Sequence, residues 1–291
     1  MKARADAEAD AADIELDLFL EALNRRYHYD FRSYSRASLT RRANVARERL
    51  DCVTLSELQG RLLRDPDVLH EVIDAMTVQV SDLFRDPAYY RALREQVIPH
   101  LRTFPSLKVW VAGCANGEEL YSLAILFEEE GLLDRTMFYA TEINRRALGR
   151  ASAGIYDIGR VPGFTANYQN AGGRGSLSDY YTAAYGSAAF NRRLRQRTLF
   201  SEHDLATDEV FSEAHLISCR NVLIYFDNTL QDRVIGLFAQ SLVRGGFLGL
   251  GAHETLRFSS HSDAFQPFNE NERIWRRAAY PQSTVPETSD A

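Results

Sequence analysis

The sequence predicts an α/β protein in two parts, a small all-helical N-terminal domain followed by a doubly wound sheet. Two observations carry that expectation. In the first third, apolar residues recur at three- and four-residue spacing with few β signals. From near residue 105, β-rich apolar runs alternate with helical patterns, the signature of a parallel sheet covered on both faces. A third observation marks an interruption. Between Tyr156 and Arg197 the rhythm breaks, and "NAGGRGSLSDYYTAAYG" reads as an inserted subdomain.

The elements follow in order. "DIELDLFLEALNRRY" sets Ile14, Leu16, Leu18, Phe19, Ala22 and Leu23 at helical spacing. "ASLTRRANVARERLDCV" places Leu39, Ala43, Val45 and Leu50 among arginines, which predicts an amphipathic helix with a basic outer face. "TLSELQGRLLRD" opens with Thr54 as N-cap and Glu57 three residues on, a capping-box pattern. "DPDVLHEVIDAMTVQV" predicts a fourth helix with Pro66 in its first turn. Then "KVWVA", "TMFYAT", "AHLISC" and "FLGLGA" read as strands. "EELYSLAILFEEEG", "INRRALGRASAG" and "NTLQDRVIGLFAQSLVRGG" read as the helices between and after them. The predicted boundaries are 1–77 for the helical domain, 78–88 for an interdomain segment, 89–280 for the sheet domain with its insertion at about 156–197, and 281–291 for a flexible tail.

Composition narrows the function classes. The 291 residues carry a net charge of −6, which argues against general attraction to nucleic acid. No run approaches the roughly 18–20 apolar residues of a membrane span, and the acidic start does not read as a secretory signal. Cys52, Cys114 and Cys219 are widely spaced and odd in number, forming neither a metal-ligand pair nor a disulfide framework, which fits a reducing cytoplasm. His203 and His253 stand alone, and no metal site is expected. Against the acidic whole, Asn24–Leu50 holds eight arginines and only two acids, Asp30 and Glu48. Such a run is either a solvated helix face or a docking surface for an acidic partner.

The chemistry concentrates at "VWVAGCANGEELYSLAIL", a strand, a turn with two glycines, then a helix. Gly113 and Gly117 let backbone approach a ligand at the carboxyl end of a strand. Their spacing is neither the dinucleotide fingerprint nor a Walker loop. Glu118 and Glu119 at the helix start suit the helix dipole but would repel a phosphate. The next strand ends in Glu142, where α/β nucleotide binders accept hydrogen bonds from ribose hydroxyls. A carboxylate at the turn and another on the second strand fit an adenosine without phosphates and with a cationic group. S-adenosyl-L-methionine (SAM) has that description.

On these and three further ordered motifs the chain resembles the chemotaxis receptor methyltransferases, the CheR family, over nearly its full length. The motifs are "VQVSDLFRDP", "AGCANGEELYSLAI", "ATEINRRALGRASAGIY" and "SCRNVLIYFD", with "GGFLGLGAHE" later. The resemblance implies a helical N-terminal domain and a Rossmann-like SAM-dependent methyltransferase domain with a small inserted β subdomain. It implies transfer of a methyl group from SAM to glutamate side chains of methyl-accepting chemotaxis proteins, leaving S-adenosyl-L-homocysteine (SAH). The expected partner is the receptors' cytoplasmic helical bundle, with the enzyme itself cytoplasmic, monomeric and not inserted in a membrane. By the same resemblance Gln79, Ser81 and Arg85 bind cofactor or acceptor, Glu119 meets the methionyl amino group, Glu142 the ribose, and Asp204 with Leu205 the adenine. Arg220, Asn221 and Tyr225 border the active site. Gln79 replaces the family's asparagine, Ser81 its threonine, Glu142 its aspartate and Asp204 its asparagine.

The chemistry agrees with the absence of a nucleophile–base arrangement. A glutamate acceptor, with a pKa of about 4.3, is already ionised at neutral pH and needs no general base. It needs position, and the planar fork of Arg85 suits a carboxylate, with Tyr225 orienting the acceptor or lining the methyl pocket. Two alternatives keep the fold: the same chemistry on a sensor outside chemotaxis, and a regulatory module binding SAM or SAH without turnover.

Overall fold

The computed structural model describes the backbone of residues 2–278 and the side chains of residues 11–278; the expected tail at 281–291 lies outside the described residues. The first third forms four helices, α1 (Lys2–Tyr27), α2 (Arg36–Arg49), α3 (Leu55–Arg64) and α4 (Val68–Met76). Their apolar faces share one core in which Phe19, Leu23, Leu58 and Leu62 are fully buried. At roughly 1.5–3 kcal/mol per buried side chain, these contacts outweigh the modest helix propensity of the segment. Thr54 caps α3, its Oγ accepting from the Glu57 amide at 3.1 Å. The Glu57 carboxylate turns back to the Val53 amide at 2.7 Å, one residue short of the reciprocal capping-box bond. Pro66 lies before α4, not in its first turn; Asp67 is the N-cap.

A helical stretch that the periodicity did not predict follows: α5 (Pro87–Ala92), a π-helical turn at Leu93–Val97, and α6 (Ile98–Leu101). The sheet domain then runs β1 (Leu107–Ala112), α7 (Glu118–Glu129), β2 (Thr136–Glu142), α8 (Arg145–Ala153). The insertion comprises β3 (Ile155–Asp157), α9 (Val161–Asn170), β4 (Tyr181–Ala184) and β5 (Ser187–Phe190). The remainder is β6 (Thr198–Glu202), β7 (Ala214–Cys219), α10 (Asn228–Ser241), β8 (Leu242–Leu250), β9 (Phe265–Asn269) and β10 (Ile274–Arg277).

The main sheet has the order β6-β2-β1-β7-β8-β10-β9. Its first five strands are parallel, but β10 runs antiparallel to β8, and β9 antiparallel to β10. The expected all-parallel sheet is thus a mixed one. Alternation along each central strand feeds two cores. Val109 and Val111 pack with α7 on one face, while Trp110 and Ala112 pack with α10 on the other. The helix expected over 228–246 stops at Ser241, because "LVRGG" already belongs to β8. Within the insertion, β3-β5-β4 form a separate antiparallel sheet.

The helical domain sits over the carboxyl end of the sheet. Asn144, N-cap of α8, donates to Asp74 (2.8 Å) and Thr77 (2.9 Å) of the helical part. The Ser35 amide donates to the Tyr225 carbonyl (2.8 Å), and the Asp227 amide to the Ser33 carbonyl (2.9 Å).

Candidate active site

Beyond the carboxyl ends of β1, β2 and β7 lies a cavity with about 910 Å³ of empty space, open solvent at its mouth included. Of the residues expected at a site, Gln79, Ser81, Arg85, Gly113, Glu119, Glu142, Asp204, Leu205, Arg220, Asn221 and Tyr225 all line it. Gly117 does not. It caps α7 at a φ of +94°, and a Cβ there would come within 2.9 Å of Ala151. Its glycine serves the packing of the turn on α8.

The turn after β1 is held by β2. Gly113 and Ala115 both adopt left-handed φ, +70° and +48°. The Ala115 amide donates to Glu142 Oε2 at 2.9 Å, and Glu142 Oε1 accepts from the Asn144 amide at 3.1 Å. A side chain at 113 would also meet Val222 at 2.7 Å. Burial pushes the Glu142 pKa up, while the amides of Asn144 and Ala115 pull it back. Glu119, one residue into α7, is likewise pushed up by burial and restrained chiefly by Arg220. Asp204 follows β6, and burial raises it to about 6.

The opposite wall is the segment between the domains. Phe84 and Asp86 on either side of Arg85 hold φ values of +49° and +57°. Non-glycine residues in that region cost of order 1–3 kcal/mol each, so the surroundings must fix them. Arg220 does so: Nη1 donates to the Arg85 carbonyl at 3.0 Å and Nη2 to Asp86 Oδ2 at 2.7 Å. Its guanidinium lies 4.2 Å from the centre of the buried Tyr89 ring. The guanidinium of Arg85 makes no hydrogen bond or ion pair with another described residue. Arg85, Val80 and Ser81 line both the cavity and an adjoining surface groove.

Two buried polar groups beside the cavity escaped sequence reasoning. Glu254, buried in the loop after β8, accepts from the amides of Asn221 (3.0 Å), Leu223 (2.8 Å) and Gly251 (2.5 Å), holding Asn221 at a φ of +61°. Its place at the end of "GGFLGLGAHE" was the available signal. Arg42, expected on the basic outer face of α2, is instead 8% exposed and lines the cavity. It stacks 4.9 Å from the Tyr225 ring centre, and its Nε donates to Ser38 Oγ at 2.9 Å. The helix hides Leu39, Arg42, Ala43 and Ala46, a helical face in which Arg42 takes an apolar residue's position. Much of the remaining basic face is already neutralised. Arg36 pairs with Asp13 and Asp17 of α1, Arg32 with Glu21 and Asp30, and Arg47 with Glu48. Arg41 and Arg49 are exposed and make no ion pair with another described residue.

The three cysteines are buried and free. His203 lines the cavity but packs edge-on against Trp110 at 5.4 Å, in the manner of a core aromatic.

The lining has buried polar atoms that its own chain leaves unused: Gln79 Oε1, Glu119 Oε1 and Asp204 Oδ2 have no hydrogen-bond partner. Buried acceptors of this kind call for donors. A ligand with a cationic amino group, an exocyclic amine and hydroxyls matches them. A parallel α/β core with such acceptors beyond the strand ends fits a SAM-binding site. The chain belongs to the CheR methyltransferase family: the family's SAM-binding domain matches residues 79–274 and its all-alpha domain residues 14–77. Among curated relatives it is 51% identical over 266 residues to the "Putative methyltransferase Cher3" of Pseudomonas putida, covering 91% of this chain and 97% of that one. It is 30% identical over 248 residues to the "Chemotaxis protein methyltransferase" of Listeria monocytogenes (84% and 92%). The "Chemotaxis protein methyltransferase 1" of Pseudomonas aeruginosa is 29% identical over 262 residues (84% and 92%).

Proposed function

We propose that this chain is a protein-glutamate O-methyltransferase that esterifies glutamate side chains in the cytoplasmic helical bundle of methyl-accepting chemotaxis proteins. The observation that carries the reading is Arg85. It is a guanidinium without an ion pair among the described residues, on a strained segment shared by the cofactor cavity and an open groove. When bound, SAM supplies an electrophilic methyl group on a sulfonium.

In this reading Glu119 accepts from the methionyl amino group, Glu142 from the ribose, and Asp204, beside Leu205, from the adenine amine. Gln79, Ser81, Gly113 and Asn221 shape the remaining wall. Arg85 holds the acceptor carboxylate in line with the methyl group, and Tyr225, fixed by Arg42, borders the reacting atoms. No side chain has to remove a proton, since the acceptor is already ionised. What the chain contributes is orientation. The helical domain docks the receptor, the 78–88 segment completes the site, and the enzyme works as a cytoplasmic monomer. The names of the Listeria and P. aeruginosa relatives support a chemotaxis role.

The test is incubation with tritiated SAM and receptor-containing membranes, followed by alkali. Glutamyl methyl esters release the label as methanol. Alkali-stable label, or no label on any receptor, would contradict the proposal.

A further inference from the structure

The segment that carries Arg85 is gripped by the inserted subdomain. Arg160 ends the short turn Ile158–Arg160 that leads into α9. Its Nη2 donates to the Ser81 carbonyl at 2.6 Å and lies 3.5 Å from Asp82 Oδ1. Its Nη1 donates to Glu118 Oε1 at 2.7 Å. The Phe164 ring supports the guanidinium at 4.7 Å. Further along α9, Asn167 Nδ2 donates to Asp82 Oδ2 (3.2 Å) and to the Leu83 carbonyl (3.0 Å). One turn and one helix thus hold Ser81, Asp82 and Leu83, immediately before the left-handed Phe84 and Asp86 that flank Arg85.

We infer that Arg160 is a positioning residue: it fixes the Ser81–Arg85 segment so that Arg85 meets the acceptor at the junction of cavity and groove. The role of Arg85 in that statement rests on the function proposed above. Arg160 lines the groove and not the cofactor cavity, so its action on the reaction passes through the segment. Its partners are spread over a carboxylate, a carbonyl and a second carboxylate, which a planar fork spans and an ammonium does not. Glu118 explains why the anchor holds. It is fully buried, its Oε2 has no partner, and Arg160 is its ion pair, so the guanidinium cannot swing out without stranding a buried charge.

Arg160→Met alone leaves Glu118 unpaired and can fail to fold for that reason. The deciding variant is therefore Glu118→Gln with Arg160→Met, compared with Glu118→Gln alone, after a thermal melt establishes folding. The amides of Phe84 and Arg85 donate to Ser122 Oγ and the Asp82 carbonyl, so hydrogen exchange reads the segment directly. Exchange there should quicken by about tenfold or more in the double variant, the effect of losing one hydrogen bond to a charged group, with β1 and α7 unchanged. SAH affinity by calorimetry should stay within a few-fold. Methyl transfer to receptor membranes should lose turnover number and keep its Michaelis constant for SAM. Arg160→Lys, which retains the Glu118 pair, should recover only part of the turnover. Unaltered exchange at 82–86 would overturn the inference, as would SAH affinity falling in step with turnover. If the wild type labels no receptor, the proposed function fails. The exchange and SAH measurements still decide whether Arg160 fixes the segment.

Discussion

The cavity's two walls are built on different principles. The wall formed by β1, β2 and the turn between β1 and α7 is regular: parallel strands end together, and Glu142 accepts from the amide of Ala115 in that turn and from the amide of Asn144 after β2. The wall at 78–86 has no regular ladder. Arginine side chains, Arg220 from β7's end and Arg160 from the insertion, hold its carbonyls and carboxylates around residues of left-handed φ. Where a site must bind the same cofactor each time, repetitive secondary structure suffices. In the proposed reading, the wall that presents one cation to an incoming side chain is the one whose backbone is bent and clamped. The two walls should then fail separately when mutated.

The largest effect should come from the irregular wall. Arg85→Ala is expected to lose methyl transfer by orders of magnitude with SAH binding largely retained, because orientation is worth up to roughly 7–11 kcal/mol. A thermal melt must accompany the assay, since Asp86 and Pro87 make this a structural corner. Arg85→Lys should rescue weakly. Near-normal turnover in a folded Arg85→Ala protein would leave the two walls without distinct roles.

On the regular wall, Glu142→Ala should weaken SAH by about 1.5–3 kcal/mol, the range for hydrogen bonds to a charged group. Calorimetry that finds the wild-type affinity would remove Glu142 from the ribose. Asp204 adds a pH signature. With its pKa at about 6, the empty site holds a proton on Asp204 below that pH. Binding through the ionised form must release it, so SAH affinity should fall by up to about tenfold per unit below pH 6 and level off above. Glu119 and Glu142 are also raised by burial, so the informative quantity is the difference from Asp204→Asn, whose profile should be flatter in this window. Superimposable profiles would exclude Asp204.

The smallest effect is expected on α2. Arg41→Glu should raise the Michaelis constant for receptor and reduce its salt dependence, by about 1 kcal/mol or less for one exposed charge, leaving SAH binding alone. Arg42 does not belong to that exposed face, because it is buried beside Tyr225.

The same contrast explains what the sequence made legible. Central strands buried on both faces, such as "KVWVA" and "AHLISC", announce themselves as apolar runs, and the turn between β1 and α7 follows from its glycines. The sheet edges do not. β6, "TLFSE", is half exposed, and β9 contains Pro267, which an edge strand tolerates and a central one does not. Their direction and pairing depend on long-range contacts that periodicity does not carry. The site divides likewise. Glu119 and Glu142 followed from their positions on strand and helix, whereas Arg85 and Asp204 came only from resemblance, since irregular backbone has no period. Arg42 was misread because a buried arginine looks, in sequence, like one more cation on a solvated face.

The central claim is that the chemistry is ester formation on a glutamate, with the acceptor held by Arg85. The most direct measurement is mass-spectrometric mapping of receptor peptides after reaction with wild type and with folded Arg85→Ala protein, before and after mild alkali. The account predicts a methyl group on glutamate side chains with the wild type, removed by alkali, and essentially none with Arg85→Ala. A methyl group on lysine, arginine or any alkali-stable position, or equal glutamate methylation by both proteins, would contradict it.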